Sequence, residues 1–228
     1  MAKKDYIEHY PVIGDKVGQQ TNRIYAAKVE SMDESIGRVL KKLADLKLDE
    51  KTIVIFTSDN GGLSVIEGPN TPATMNAPLR EGKGYLYEGG MRVSLLIKWP
   101  GVIKPGSTSA TPVSSYDFFP TILEACGARS DAKVDGVSLV PALKGGSLKP
   151  RPLYWHYPHY SNQGGMPGAV IRDGDWKLIE FYEHGRWELF SMTNDSREMK
   201  NLATAEPAIA RRLAKKLDDW PHRGGALR

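Results

Sequence analysis

The chain has 228 residues, 40% apolar and 25% charged, which are ordinary proportions for a folded domain and exclude low-complexity disorder. Lys plus Arg number 31 against 27 Asp plus Glu, a net charge of +4 that is too mild and too dispersed for a nucleic-acid binder. No apolar run approaches the ~20 residues that span a bilayer, and the single cysteine, Cys126, excludes an internal disulfide.

Residues 1–20 are polar and turn-rich and are expected to form a loop. No apolar segment follows Lys3 and Lys4, so no signal peptide is visible. From Thr21, the residues Tyr25, Val29, Met32, Ile36, Val39 and Leu43 recur at steps of three and four, which predicts one helical stripe capped by Thr21 or Asn22. Thr52 to Thr57 is a continuous β-branched and apolar run, as expected of a strand buried on both faces of a parallel sheet. Residues 63–90 form a long glycine-rich connection, and loops of that length are usually functional or disordered. Val93 to Trp99 reads as a second buried strand, and Ser115 or Asp117 can cap a helix running through Cys126. Asp131 to Pro150 looks like a link. Beyond it, Tyr154 to Tyr160 is an aromatic and histidine cluster. Ala169 to Arg172, Trp176 to Ile179 and Trp187 to Phe190 are short strand candidates in an antiparallel meander. Pro207 to Trp220 predicts a closing amphipathic helix, with Arg211, Arg212, Lys215 and Lys216 on its solvated face.

Ligands of open α/β sheets gather at the carboxyl ends of strands, so Asp59-Asn60-Gly61-Gly62 is the first candidate site. Asp59 and Asn60 offer adjacent hard oxygens of the kind Ca²⁺ and Mg²⁺ prefer, but two are too few for Ca²⁺. Taken alone, the tetrapeptide is better turn chemistry than metal chemistry. Lys83 lies between Gly82 and Gly84, where the backbone can approach an anion closely; alone it reads by default as a surface lysine. Glu88 and Arg92 are expected to pair as a brace. His156 and His159 stand among aromatic faces suited to a sugar or aryl group, although the default is a core cluster with hydrogen-bonded histidines.

Taken in order, these pieces resemble the sulfatase family of the alkaline-phosphatase-like superfamily. The matching stretches are Met32 to Leu40, Thr52 to Gly62, Leu79 to Arg92, Trp99 to Ile103, Asp117 to Thr121, Asp135 to Leu139 and Arg172 to Leu178. Each is short, but their order spans nearly the whole chain. The resemblance implies an α/β fold: part of a sulfatase α/β/α sheet over 1–147, then a C-terminal antiparallel sheet with a closing helix over 148–228. It also implies hydrolysis of aryl or carbohydrate sulfate esters by a formylglycine made from a Cys-x-Pro-x-Arg cysteine. Asp59 and Asn60 then look like two ligands of a bound Ca²⁺, and Lys83 like the lysine that contacts the sulfate.

The sequence departs from that pattern in one large respect. Cys126 is followed by Gly127, Ala128 and Arg129, and no Cys-x-Pro-x-Arg occurs, so formylglycine is absent and the Ca²⁺ site is incomplete. The family's amino-terminal aspartates, first lysine and sulfate-contacting histidines are expected upstream; the setting of His9 resembles the loop after that histidine. Ser94 stands where the family usually has proline. The expectation is therefore a sulfatase portion inactive by itself and prone to aggregate without its missing part. Its partners are a sulfated carbohydrate or aryl sulfate, with no nucleic acid and no membrane span. Two other readings are a non-catalytic anion- or glycan-binding module and a phosphate-ester or phosphonate hydrolase of the same superfamily. Family members are often periplasmic, secreted or lysosomal, and the sequence leaves the compartment open.

Overall fold

The computed structural model describes residues 3–12 and 20–220. Part of the predicted amino-terminal loop, residues 13–19, lies outside the described residues. Before it, Lys4–Glu8 forms a short helix, α1, rather than loop. It is held by Lys3 and the Tyr6 hydroxyl on Glu34 at 2.6 and 2.5 Å, and by His9 Nδ1 2.8 Å from Glu30.

The predicted stripe becomes α2, Arg23–Asp45, and the Asn22 side chain caps it by accepting the Tyr25 N–H at 2.9 Å. Only Ala27 of this helix is buried, whereas Val29, Met32, Val39 and Leu40 are exposed. β1 (Val54–Thr57) and β2 (Leu95–Lys98) pair antiparallel, Val54 opposite Lys98 and Thr57 opposite Leu95. The expected parallel, doubly buried pair is thus corrected: Phe56 and Leu96 are 37% and 59% exposed. An apolar run reports that a strand forms, but strand direction depends on which segment pairs with it, and that is a long-range outcome.

α3, Glu88–Met91, is one turn between the long connection and β2. α4, Phe118–Ala125, follows a 3₁₀ turn at Ser115–Asp117 with a Ser114–Asp117 capping box. The segment expected to be a link is instead tied down. Buried Asp117 accepts the Ser114 and Val137 N–H groups at 2.9 and 3.0 Å and receives the Arg151 guanidinium. Thr121 Oγ1 donates to the Asp117 carbonyl at 2.6 Å and accepts the Leu139 N–H at 2.9 Å, just before α5, Val140–Leu143.

The four-stranded antiparallel sheet is a meander, β3 (Leu153–Tyr157), β4 (Gly168–Asp173), β5 (Trp176–Phe181) and β6 (Arg186–Ser191). The aromatic cluster therefore forms a strand of its own, β3. One face packs Ala169, Ile171, Leu178 and Leu189 against Ala210, Leu213, Ala214 and Leu217 of α6, Pro207–Asp218. The other face packs Val170, Ile179, Phe181 and Phe190 against Leu86 and Tyr87, which belong to the long loop before α3. This second core fixes the glycine-rich loop on the sheet. Among the described residues, no helix is long and apolar enough to cross a membrane.

Candidate active site

Asp59-Asn60-Gly61-Gly62 leaves the carboxyl end of β1 and meets the Gly82-to-Gly90 loop backbone to backbone. The Gly61 N–H donates to the Gly90 carbonyl at 2.9 Å, and the Lys83 N–H to the Gly62 carbonyl at 3.1 Å. The approach is too close for a side chain: a Cβ on Gly61 would stand 1.7 Å from the Gly89 carbonyl oxygen, and one on Gly82 would stand 2.3 Å from that of Gly62. Five glycines, Gly61, Gly62, Gly82, Gly89 and Gly90, thus serve contact between two loops rather than left-handed backbone. This packing brings the predicted pair Asp59 and Asn60 onto the scaffold that carries Lys83. The side chains of Asp59 and Lys83 are exposed, and Asn60 is half-buried.

Asn76, which the sequence reading missed, clamps the two loops together. Its Oδ1 accepts the Gly62 N–H at 2.9 Å, and its Nδ2 donates to the Gly62 and Glu81 carbonyls at 2.9 and 3.0 Å. Both donor hydrogens and one acceptor position of that amide are engaged by backbone. Nothing in local sequence marks such a clamp, because it joins Gly62, 14 positions before it, to Glu81, further along its own loop.

A buried charge cluster anchors the loop from below. Lys177 of β5, 1% exposed, sits 3.0 Å from Glu88 and 2.7 Å from Glu198, and the Glu88 N–H donates to Glu198 at 2.6 Å. The expected Glu88–Arg92 brace is only a 4.0 Å contact to an exposed guanidinium, so Lys177 is the main partner. Burial pushes the Glu198 carboxyl above its usual range, against the opposing pull of Lys177. Arg80 lies 3.8 Å over the Tyr87 ring and donates to the Glu198 carbonyl at 3.0 Å. The Tyr87 hydroxyl donates to Glu188 at 2.8 Å, and burial, then Glu188, raises its pKa. Arg80 and Tyr87 flank Lys83 in sequence and are both pinned to the sheet, which limits how far that segment can move.

The two histidines part company. Strand alternation along β3 sends Trp155 and Tyr157 to the face that holds Leu86 and Tyr87, and His156 to the α6 face, where its ring lies 5.8 Å from Tyr182. His156 is not brought to Lys83. His159 is exposed after the strand, edge-on to Tyr157 at 5.5 Å. The turn that follows it, Ser161 to Gly165, packs on Gly84: a Cβ there would lie 2.2 Å from Ser161 Oγ and 3.0 Å from Gln163 Oε1. Among the described residues no group of three or more His, Cys, Asp or Glu side chains is placed to hold a metal ion. Asp59 and Asn60 offer two hard oxygens, fewer than the roughly six to eight donors that Ca²⁺ takes.

A family model described as sulfatase matches residues 2–128, and one described as N-sulphoglucosamine sulphohydrolase, C-terminal, matches residues 82–222. The chain belongs to the sulfatase family. It is 39% identical to a sulfatase of Formosa agariphila over 89% of this chain and 40% of that protein. In structure it is similar to Ps i-CgsB in complex with k-i-k-neocarrahexaose, with a TM-score of 0.79 and 27% identity over 96% of this chain and 46% of that one. It is also similar to a protein solved with its substrate D-glucosamine-2-N,6-O-disulfate, with a TM-score of 0.71 and 30% identity over 86% and 39% of the two chains. The sulfatase chain thus spans less than half the length of these relatives, and the alkaline-phosphatase-like α/β class expected from sequence holds.

Proposed function

We propose that this sulfatase chain supplies the cation- and sulfate-contacting part of a site that hydrolyses sulfate esters of carbohydrates. The observation that carries the reading is the glycine-on-glycine seam joining the Asp59–Asn60 loop to the Lys83 loop. Asp59 and Asn60 hold a Ca²⁺ through carboxylate and amide oxygens, as two of its six to eight donors. The cation, when bound, withdraws charge from the sulfate oxygens. Lys83 places an ammonium on the anionic head of the substrate, where it offsets charge that builds on the leaving oxygen. Both solved relatives named above contain carbohydrate, one of them a sulfated glucosamine described as its substrate, which favours a sugar over an aryl ester.

The 228 residues contain no Cys-x-Pro-x-Arg, and exposed Cys126 sits at the end of α4. The proposal therefore assigns substrate and cation contacts to this chain, not the nucleophile. Calorimetric titration tests it. With only two donors in place, wild-type chain takes up Ca²⁺ weakly and then glucosamine 6-sulfate, Asp59→Ala loses the first, and Lys83→Ala loses the second while keeping the first. Uptake indifferent to both substitutions overturns the assignment. With Ca²⁺ present, the chain alone leaves an aryl sulfate intact; turnover that disappears in Lys83→Ala would show that the nucleophile is here after all.

A further inference from the structure

The loop that leaves Gly62 meets, at Glu67, the Asn162–Gln163 turn that packs on Gly84. The Gln163 amide donates to Glu67 Oε1 at 2.7 Å, and the Asn162 amide donates to the same oxygen. Gln163 is almost fully buried, is itself oriented by Ser161, and lies against Gly84, the residue after Lys83. A continuous chain of contact therefore runs from Lys83 through Gly84 and Gln163 to Glu67. Both ends of that chain are exposed to solvent. The two amides fix one oxygen of the Glu67 carboxylate, and an exposed carboxylate held in place acts on its neighbourhood as a preset negative charge with a free acceptor.

We propose that Glu67 is a specificity-determining residue: it selects a sugar that offers a hydroxyl or ammonium group beside the sulfate held by Lys83, and it disfavours one that carries a second anion there. This rests on Lys83 as the sulfate contact. A hydroxyl or ammonium can donate to the carboxylate, whereas a second sulfate or a uronate is repelled by it and cannot donate. Selection of this kind works through an adverse charge rather than an added attraction.

The test compares two probes on the full chain with Ca²⁺: glucosamine 6-sulfate and glucosamine 2-N,6-O-disulfate. Wild type is expected to bind the monosulfate more tightly. Glu67→Gln keeps an acceptor for the two amides but removes the charge, and should shift the ratio of the two affinities about three- to tenfold toward the disulfate, the effect of one partly screened unit charge at several ångströms. A structural role for Glu67 would weaken both probes alike and leave the ratio unchanged, which overturns the proposal. So does a wild-type preference for the disulfate. Lys83→Ala separates the two levels. If it abolishes binding of both probes while Glu67→Gln leaves the ratio fixed, only the selectivity fails; if wild type binds neither probe, or Lys83→Ala changes nothing, the sulfate assignment fails with it.

Discussion

The Lys177 ammonium lies 2.7 Å from the Glu198 carboxylate, and neither side chain reaches solvent. Glu88 completes the cluster at 3.0 Å, so one buried cation is shared by two carboxylates at the root of the loop that carries Lys83. Removing one member of a buried ionic group leaves the rest uncompensated, at about 3–5 kcal/mol. Lys177→Met should cost that much in urea denaturation of the chain. A loss below ~1 kcal/mol would mean that the cluster is not holding the loop.

The same cluster predicts a pH dependence. Burial raises the folded-state pKa of Glu198 above its ordinary 4.5, so the folded chain holds this proton more tightly than the unfolded chain does. Its contribution to stability is then fully present below 4.5 and is lost as pH rises through the folded value. The stability of wild type relative to Glu198→Gln should therefore rise as the pH is lowered from neutrality toward 4.5. Parallel denaturation series check this, and a difference that falls on acidification would contradict it.

Gly61 has no room for a methyl group beside the Gly89 carbonyl. Gly61→Ala must separate the two site loops, at about 1–3 kcal/mol for overpacking. Its damage should be local. Amide resonances of β4, β5 and β6 should stay in place while those of residues 59–62 and 82–90 shift, and Ca²⁺ uptake should weaken. Uniform perturbation of the sheet would show that the seam is not a separate structural unit.

Asn76 is the second support of that seam. Asn76→Ala removes the side-chain partners of the Gly62 N–H and the Glu81 carbonyl and leaves the Gly62 carbonyl with the Lys83 N–H alone, a loss of about 1–3 kcal/mol. Hydrogen exchange should speed up at Gly62 and Lys83, whose amides sit in the clamped region, and should be unaltered in α6. Unchanged protection at Gly62 would place the restraint elsewhere.

The exposed apolar side chains of α2, β1 and β2 show where local reading succeeds and fails. Their periodicity and β-branching announced a helix and two strands, and both kinds of element form. The same pattern promised burial and a parallel partner, yet Met32, Val39 and Leu96 are exposed and the pair is antiparallel. Patterning states which face is apolar; the neighbour that covers it is a separate fact. For the meander the two agreed, because each strand pairs with the next one along the chain and short turns set the register.

The amino-acid sequence by itself determined the family, the order of the longer elements (α2, β1, β2, α4, β4, β5, β6 and α6, but not α1, α5 or β3), and the residue types of the candidate site: an adjacent acid and amide after β1, and a lysine between glycines. Each depends on residues within a few positions of one another, where helix period, strand alternation and turn chemistry act. Tertiary structure alone decided which groups serve that site. Glu88 found Lys177 and Glu198, 89 and 110 positions away, Arg80 reached the carbonyl of Glu198 across 118, and Gln163 reached Glu67 across 96. Such pairings follow from burial, since a charge or amide taken out of water must be satisfied by whatever partner the fold brings near. No local pattern encodes that partner.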